Sequence, residues 1–339
     1  MAYTTHAISS LQEVVQLWAA FAADCGWIVD NSHPTAPSIK LPTYPSAMPR
    51  RLRYEEVSAY GKRLVVDSNH PDMTGTAITS APVLNPTAST GGASVSTPTK
   101  VHFIGTGSGI PYLATIVEFG FNSYRHLYVG YMNKSSDYEG GEVISGTWSR
   151  ETGSPTGSVV GWYAYETGAT GLFSATAAND TNSRRGGVRV LHPNNPTKWR
   201  EFRAVGGSSS FNSYADGTSE ITVMGGYLDG ANTGYAIAGK SEYTVSAVVS
   251  PIPLLVTTTI GGKRYFRNIG SPAGVRHINV ENFEPGARVN VGSREFVVFP
   301  WMSKRASPRI QYPTSSVPSA SRFPQHESSG YLGYAYEAS

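Results

Sequence analysis

Cysteine occurs once in the 339 residues, as Cys25, so no disulfide can form within the chain. A single thiol suits folding in a reducing cytoplasm and excludes a thiolate-rich zinc site. Charge is scarce as well. Asp, Glu, Lys and Arg make up 15% of the sequence, against about a quarter in an ordinary soluble domain. The net charge of +3 is too small to argue for sequence recognition of nucleic acid. The only basic clusters, Arg50-Arg51-Leu52-Arg53 and Arg184-Arg185, read as solvated surface. No run of 18 apolar residues exists, so no transmembrane helix is expected. The opening MAYTTHAISS has no basic stretch leading into an apolar core, and no secretory signal is expected.

Catalytic signatures are thin. Gly105-Thr106-Gly107-Ser108-Gly109 follows a strand, but Ile110 stands where the dinucleotide fingerprint needs its third glycine. Pro111 and the β-rich run after it contradict a helix there, so the segment reads as a flexible turn. A nucleophile elbow fits Ser108 only loosely. None of the eight histidines has metalloprotease spacing. His102 and His126 come close if their strands are neighbours, and a half-buried histidine bonded to backbone is the plainer reading. Asp137, Glu139 and Glu142 offer paired carboxylates of the kind that hydrolyse glycosides, yet KSSDYEGG reads as a polar turn. The expectation is a protein that is not an enzyme and needs no metal or cofactor.

Glycine, proline and tyrosine are what the chain has in quantity: 36, 22 and 20 residues. Many short strands joined by Gly and Pro turns predict a mainly β fold, a sandwich or barrel-like body with an N-terminal amphipathic helix and extended arms. The helix is the clearest element. Ser10-Leu11-Gln12-Glu13 matches a capping box, Leu11, Val14, Val15, Trp18 and Phe21 share one face, and Gly26 ends the helix near residue 25. Cys25 is expected as a buried small hydrophobe at that end. Residues 1–30 are read as this helix and a first strand beginning at Trp27-Ile28-Val29. Prolines 34, 37, 42, 45 and 49 make 31–50 an irregular arm. The β-rich body runs from 31 to 302, with a long surface loop over 74–100 and a Gly-, Ser- and Thr-rich stretch, 150–250, that reads as an inserted region. Strands are predicted at 53–55, 63–66, 100–104, 112–119, 126–131, 253–260, 264–266, 288–291 and 295–299, with a hairpin turn at Gly261-Gly262. Residues 303–339 form a Ser- and Pro-rich C-terminal arm, whose closing aromatics are read as a terminal strand or as an arm bound to a neighbour.

Tyrosine and tryptophan enrich at interfaces, because they bury a large area and keep one polar contact. Tyr124, Tyr128, Tyr131, Tyr138 and Trp148 sit in or beside one hairpin, and Tyr331, Tyr334 and Tyr336 close the chain. These eight are the candidate interface residues, with core packing as the alternative. A chain with long Pro- and Ser-rich segments orders them best by wrapping a neighbour, so the terminal aromatics are expected on another subunit.

The stretch RHLYVGYMNKSSDYEGGEVISGTW resembles a pattern in tailed-bacteriophage virion proteins, in which a strand ending in Arg-His-aromatic-Gly leads through a Lys-containing turn to Gly-Gly. The helix ending in Gly26-Trp27, the stretch GVRHINVENFEPGARVNVGSREFVVFP and the ending SSGYLGYAYEAS are similar to the same proteins. The resemblance covers about half of the chain, at both ends, and leaves 150–250 uncovered. It implies a structural component of the neck, collar, tail or baseplate, folded in the host cytoplasm, that assembles as a homo-oligomer with other virion proteins. It also implies that Gly130, Gly140 and Gly141 are turn residues, and that Arg125 and Lys134 serve ion pairs or interfaces. A receptor- or glycan-binding tail protein is the alternative reading, and a cell-wall or polysaccharide hydrolase the second.

Overall fold

The computed structural model describes residues 1–33, 35, 37–40, 50–57, 61–68, 83–84, 98–119, 124–135, 141–146, 188–192, 195–202, 222–224, 251–252, 254–261, 263–280, 282–300 and 332–338. They form a mainly β protein with one helix. The elements are β1 (Ala2–Ala7), α1 (Leu11–Asp24), β2 (Ile28–Asp30), β3 (Ser38–Lys40), β4 (Arg50–Val57), β5 (Gly61–Ser68), β6 (Val83–Leu84), β7 (Pro98–Thr106), β8 (Tyr112–Phe119), β9 (Tyr124–Lys134) and β10 (Glu142–Gly146). They continue with β11 (Val188–His192), β12 (Asn195–Phe202), β13 (Thr222–Met224), β14 (Leu254–Ile260), β15 (Lys263–Pro272), β16 (Val275–Asn279), β17 (Ala287–Val291), β18 (Arg294–Pro300) and β19 (Leu332–Glu337).

β9 is the hub of a ten-stranded antiparallel sheet ordered β1-β7-β8-β9-β10-β11-β12, with β15-β14-β13 branching from β9. Its first seven residues pair with β8, and its last three pair with β15, so β8 and β15 succeed each other along one edge. Strand alternation sends Tyr124, His126, Tyr128 and Met132 to one face of the sheet and Arg125, Leu127, Val129 and Tyr131 to the other. Both faces are buried. The first face packs on a four-stranded sheet, β16-β19-β18-β17, through Val275, Val297, Phe299, Tyr334 and Tyr336. The second packs on α1 and on residues of a five-stranded sheet, β2-β3-β4-β5-β6. The body is therefore a β-sandwich with α1 laid on its outer side.

α1 buries Leu11, Val14, Val15, Trp18, Ala19, Phe21 and Ala22, which includes all five positions of the predicted face. Its C-terminus is a Schellman motif: the Gly26 amide donates to the Ala23 carbonyl and the Trp27 amide to that of Ala22, with Gly26 at φ +88°. The N-terminus departs from the capping box. Ser10 is the N-cap residue, but its hydroxyl donates to the Glu13 carboxylate (3.0 Å) and bonds no backbone amide. Glu13 instead gathers the Ser9 amide and hydroxyl as well (3.2 and 2.6 Å).

Two of the arm expectations are overturned in part. Within 31–50, Ser38–Lys40 is an interior strand of its sheet, pairing with β2 and β4, and Ile39 is fully buried. Pro37 and Pro42 bracket it but leave its three amides intact for the ladder. At the C-terminus, 332–337 is also no arm: β19 lies between β16 and β18 in its own chain. The stretch 150–250 is not wholly an insertion either, because β11 and β12 extend the main sheet beyond β10. The rest of 41–49, 69–97, 147–250 and 301–331 lies outside the described residues.

Candidate functional site

Of the eight candidate interface residues, Tyr138, Trp148 and Tyr331 lie outside the described residues. The other five are buried in the core of this chain. Tyr128, Tyr334 and Tyr336 are fully inaccessible, and Tyr124 and Tyr131 are 5% and 7% exposed. Strand alternation decided this: both faces of β9 are covered, so every tyrosine on it is buried. Burial holds the hydroxyls of Tyr128, Tyr334 and Tyr336 protonated well above the usual tyrosine range.

β8 stands between the strands of the two histidines. His102 on β7 and His126 on β9 both stand opposite Ile116 on β8, so they share a face two strands apart. His126 is fully buried between the sheets. The Pro300 carbonyl can only accept, so His126 Nε2–H donates to it (2.9 Å), and Nδ1 is hydrogen-bonded to the Tyr336 hydroxyl (2.9 Å). The ring thus ties β9 to the end of β18 and to β19, stacks on Tyr336 and meets the Tyr334 ring in a T-shaped contact.

His102 belongs to the junction with β1. Its Nδ1 lies 3.1 Å from the Tyr3 hydroxyl and 3.0 Å from that of Thr5. Its Nε2 faces the Glu118 carboxylate at 3.8 Å. Burial, and then the Lys100 cation, hold the imidazole down to about 4. At neutral pH the ring is uncharged, and the approach to Glu118 is no ion pair. The Tyr3 ring also lies 5.7 Å beneath the Arg288 guanidinium of β17.

Of the three hydrolase carboxylates only Glu142 is among the described residues. Asp137 and Glu139 lie outside the described residues. Glu142 is buried at the start of β10 and accepts from the Tyr131 hydroxyl (3.2 Å). Among the described residues no group of three His, Cys, Asp or Glu side chains is placed to hold a metal. Arg125 is buried against the helix-facing core, donates to the Tyr124 carbonyl (2.7 Å), and is pulled down to about 9 by burial. Lys134 is exposed at the end of β9.

The glycine turn 105–109 is a turn, but a packed one. A side chain on Gly105 would run into the Tyr112 carbonyl, and one on Gly107 into the Cys25 carbonyl at the end of α1. Trp27 Nε1 donates to the Thr106 carbonyl (3.3 Å) and closes the same contact. Cys25 is half-buried, less covered than expected, and burial with the nearby Asp24 carboxylate pushes its thiol up to about 11. Gly130 is not a turn residue. It lies mid-strand, where the Tyr112 side chain leaves no room for a Cβ. Gly141, at φ +135°, does lead into β10, and Gly140 lies outside the described residues.

The residues that sequence reasoning missed are at the N-terminus. The first strand is not the one expected at Trp27-Ile28-Val29 but β1, whose only local signal is Ala-Tyr-Thr-Thr-His-Ala, an uncharged run with aromatic and β-branched residues. That Tyr3 and Thr5 would close on a histidine 97 or more positions away was not legible. No protein-family model and no curated protein sequence matches this chain.

Proposed function

We propose that this chain is a structural component of a tailed-bacteriophage virion, assembling as a homo-oligomer in the neck, collar or tail. One observation carries the reading. In the stretch that resembles virion proteins, the described polar and aromatic side chains Arg125, His126, Tyr128, Tyr131 and Glu142 are buried and bonded within the scaffold. β9, which opens that stretch, joins three other strands. The stretch is spent on a frame, as a load-carrying particle protein requires. The scarcity of charge agrees, since part of the surface would face other subunits.

The test is composition of the particle. Virions carrying a tagged copy should contain the protein at a fixed, multiple copy number by quantitative mass spectrometry. Particles assembled with a null allele should stop at a defined incomplete stage. Normal infectious particles without the protein would overturn the reading.

A second reading, a receptor- or glycan-binding tail protein, draws on the β14–β15 hairpin. Ile260 and Tyr265 stand on one face near its tip, 63% and 51% exposed, and a free tyrosine face stacks well on a sugar ring. Tyr265→Ala should then abolish adsorption to host cells while leaving particles intact. Unchanged adsorption would rule this reading out.

A further inference from the structure

Terminal strands expose unpaired amides and carbonyls, and most proteins guard them with charge, proline, bulges or shortness. Most terminal strands of this fold are so guarded. β12 contains Pro196, Lys198, Arg200 and Glu201; β16 has Arg276, β17 has Arg288 and β2 has Asp30. β6 and β13 have two and three residues. β1 differs from them all. It is six residues long, has no charged residue and no proline, and pairs with β7 without a bulge.

The ladder shows which of its groups are free. The Ile8 amide donates to the Thr99 carbonyl, so in an antiparallel pair residues 2, 4 and 6 also point their backbone groups at β7. Tyr3, Thr5 and Ala7 therefore point theirs outward, where no other described strand pairs with them. Thr5 and Ala7 are exposed. Beside this edge an open groove of about 720 Å³ runs between β1 and α1, lined by Thr5, His6 and Ala7 and by Glu13, Gln16 and Leu17.

We propose that β1 pairs antiparallel with β1 of a second copy, about a two-fold axis through Thr5, joining two ten-stranded sheets edge to edge. The strand is its own best complement. A two-fold at Thr5 sets Tyr3 against the partner's Ala7 and Thr5 against the partner's Thr5, so every outward amide meets an outward carbonyl. No charge faces a like charge, because the strand has none. His6 touches Phe103 on the α1 side of the sheet, so Thr4 and His6 of the partner subunit lie on that same side and enter the groove. Main-chain pairing supplies the affinity and the groove supplies the fit, as in other strand additions. This contact does not depend on the virion reading. It is isologous, and so adds a two-fold to any ring that heterologous contacts close.

The experiment uses the full chain, tagged at its C-terminus, with mass measured by light scattering during size-exclusion chromatography. Ala7→Pro removes one outward amide per copy and leaves the β7 ladder whole. Thr5→Cys in a Cys25→Ser background places two thiols across the axis, where the pair spacing of about 5.5 Å suits a disulfide. The expected results are a dimer for the full chain, dimerisation weakened by about tenfold or more in Ala7→Pro, and one disulfide-linked dimer band for Thr5→Cys under mild oxidation. A monomeric full chain, an Ala7→Pro dimer of undiminished affinity, or a Thr5→Cys product that is uncrosslinked or a higher ladder would each overturn the proposal. If Ala7→Pro fails to fold, the crosslink decides alone. Failure here would leave particle incorporation untouched, so the two readings fail separately.

Discussion

The ring of Tyr112 fills the space that a side chain on Gly274 would need. Gly274, at φ +63°, follows Ala273 in the two-residue corner where β15 leaves the large sheet and β16 enters the small one. Tyr112 stacks on Tyr128 with ring centroids 6.0 Å apart, and the Tyr128 hydroxyl donates to the Ala273 carbonyl (2.8 Å). The Tyr112 hydroxyl donates to the carbonyl of Glu337, whose amide donates to the Gly274 carbonyl (2.8 Å). Two strands of the large sheet thus clamp the corner and the final strand together.

Gly274→Ala should therefore be severe. It adds left-handed strain of about 1–2 kcal/mol to overpacking of about 1–3 kcal/mol. Gly292 is the control, with the same φ of +63° and nothing within 4 Å of an added Cβ. Urea unfolding should show Gly292→Ala paying only the conformational part. Equal losses at the two sites would refute the clamp.

His126→Ala leaves the Pro300 carbonyl and the Tyr336 hydroxyl without their partner in a fully buried position. Each orphaned group costs about 1–3 kcal/mol, and the cavity adds to that. A double-mutant cycle with Tyr336→Phe should return a coupling of about 1 kcal/mol. Additive losses would mean that the 2.9 Å bond between them contributes nothing.

His102 gives stability a dependence on pH. Its folded value of about 4 lies below the ordinary 6.5, so between these the unfolded chain takes up a proton that the folded chain refuses. Stability from this group is intact above pH 6.5 and falls as pH drops toward 4, by up to about 3 kcal/mol. Lys100, Glu118 and the Tyr3 hydroxyl are the groups that face it. Chemical denaturation of wild type and His102→Gln across pH 4–8 should show the gap between them changing only below pH 6.5. A constant gap would show that the ring titrates normally.

At the helix start, the Glu13 carboxylate accepts from three donors, whereas the Ser10 hydroxyl makes a single bond, as a donor to Glu13. Ser10→Ala should cost well under the ~1 kcal/mol of a true N-cap, and Glu13→Ala should lower the melting temperature further. The reverse order would restore the capping box.

Cys25 should label slowly. With its thiol pushed up to about 11, the thiolate fraction at pH 8 is about one in a thousand, so a disulfide reagent should react roughly a hundredfold slower than with a free cysteine. Labelling at the free-thiol rate in the native protein would contradict that environment.

The sequence by itself determined the local elements. The face of α1, its glycine stop and about half of the strands, β7, β8, β9, β14 and β18 among them, were legible because they rest on a period of 3.6 or 2 and on turn residues a few positions apart. The mainly β class followed from the same short-range signals. What each face covers was decided only by the tertiary structure. An alternating strand declares two faces but not whether one or both are buried. Tyr124, Tyr128 and Tyr131 looked like interface residues until the small sheet and α1 were seen on opposite sides of β9. Tyr334 and Tyr336 looked like an arm because their partners, His126 and Phe299, are distant in sequence or come from another element. Which strand is left unpaired is likewise a property of sheet order. β1 carries a local strand signal in its six residues, but its place at the edge follows from pairing with residues a hundred positions away.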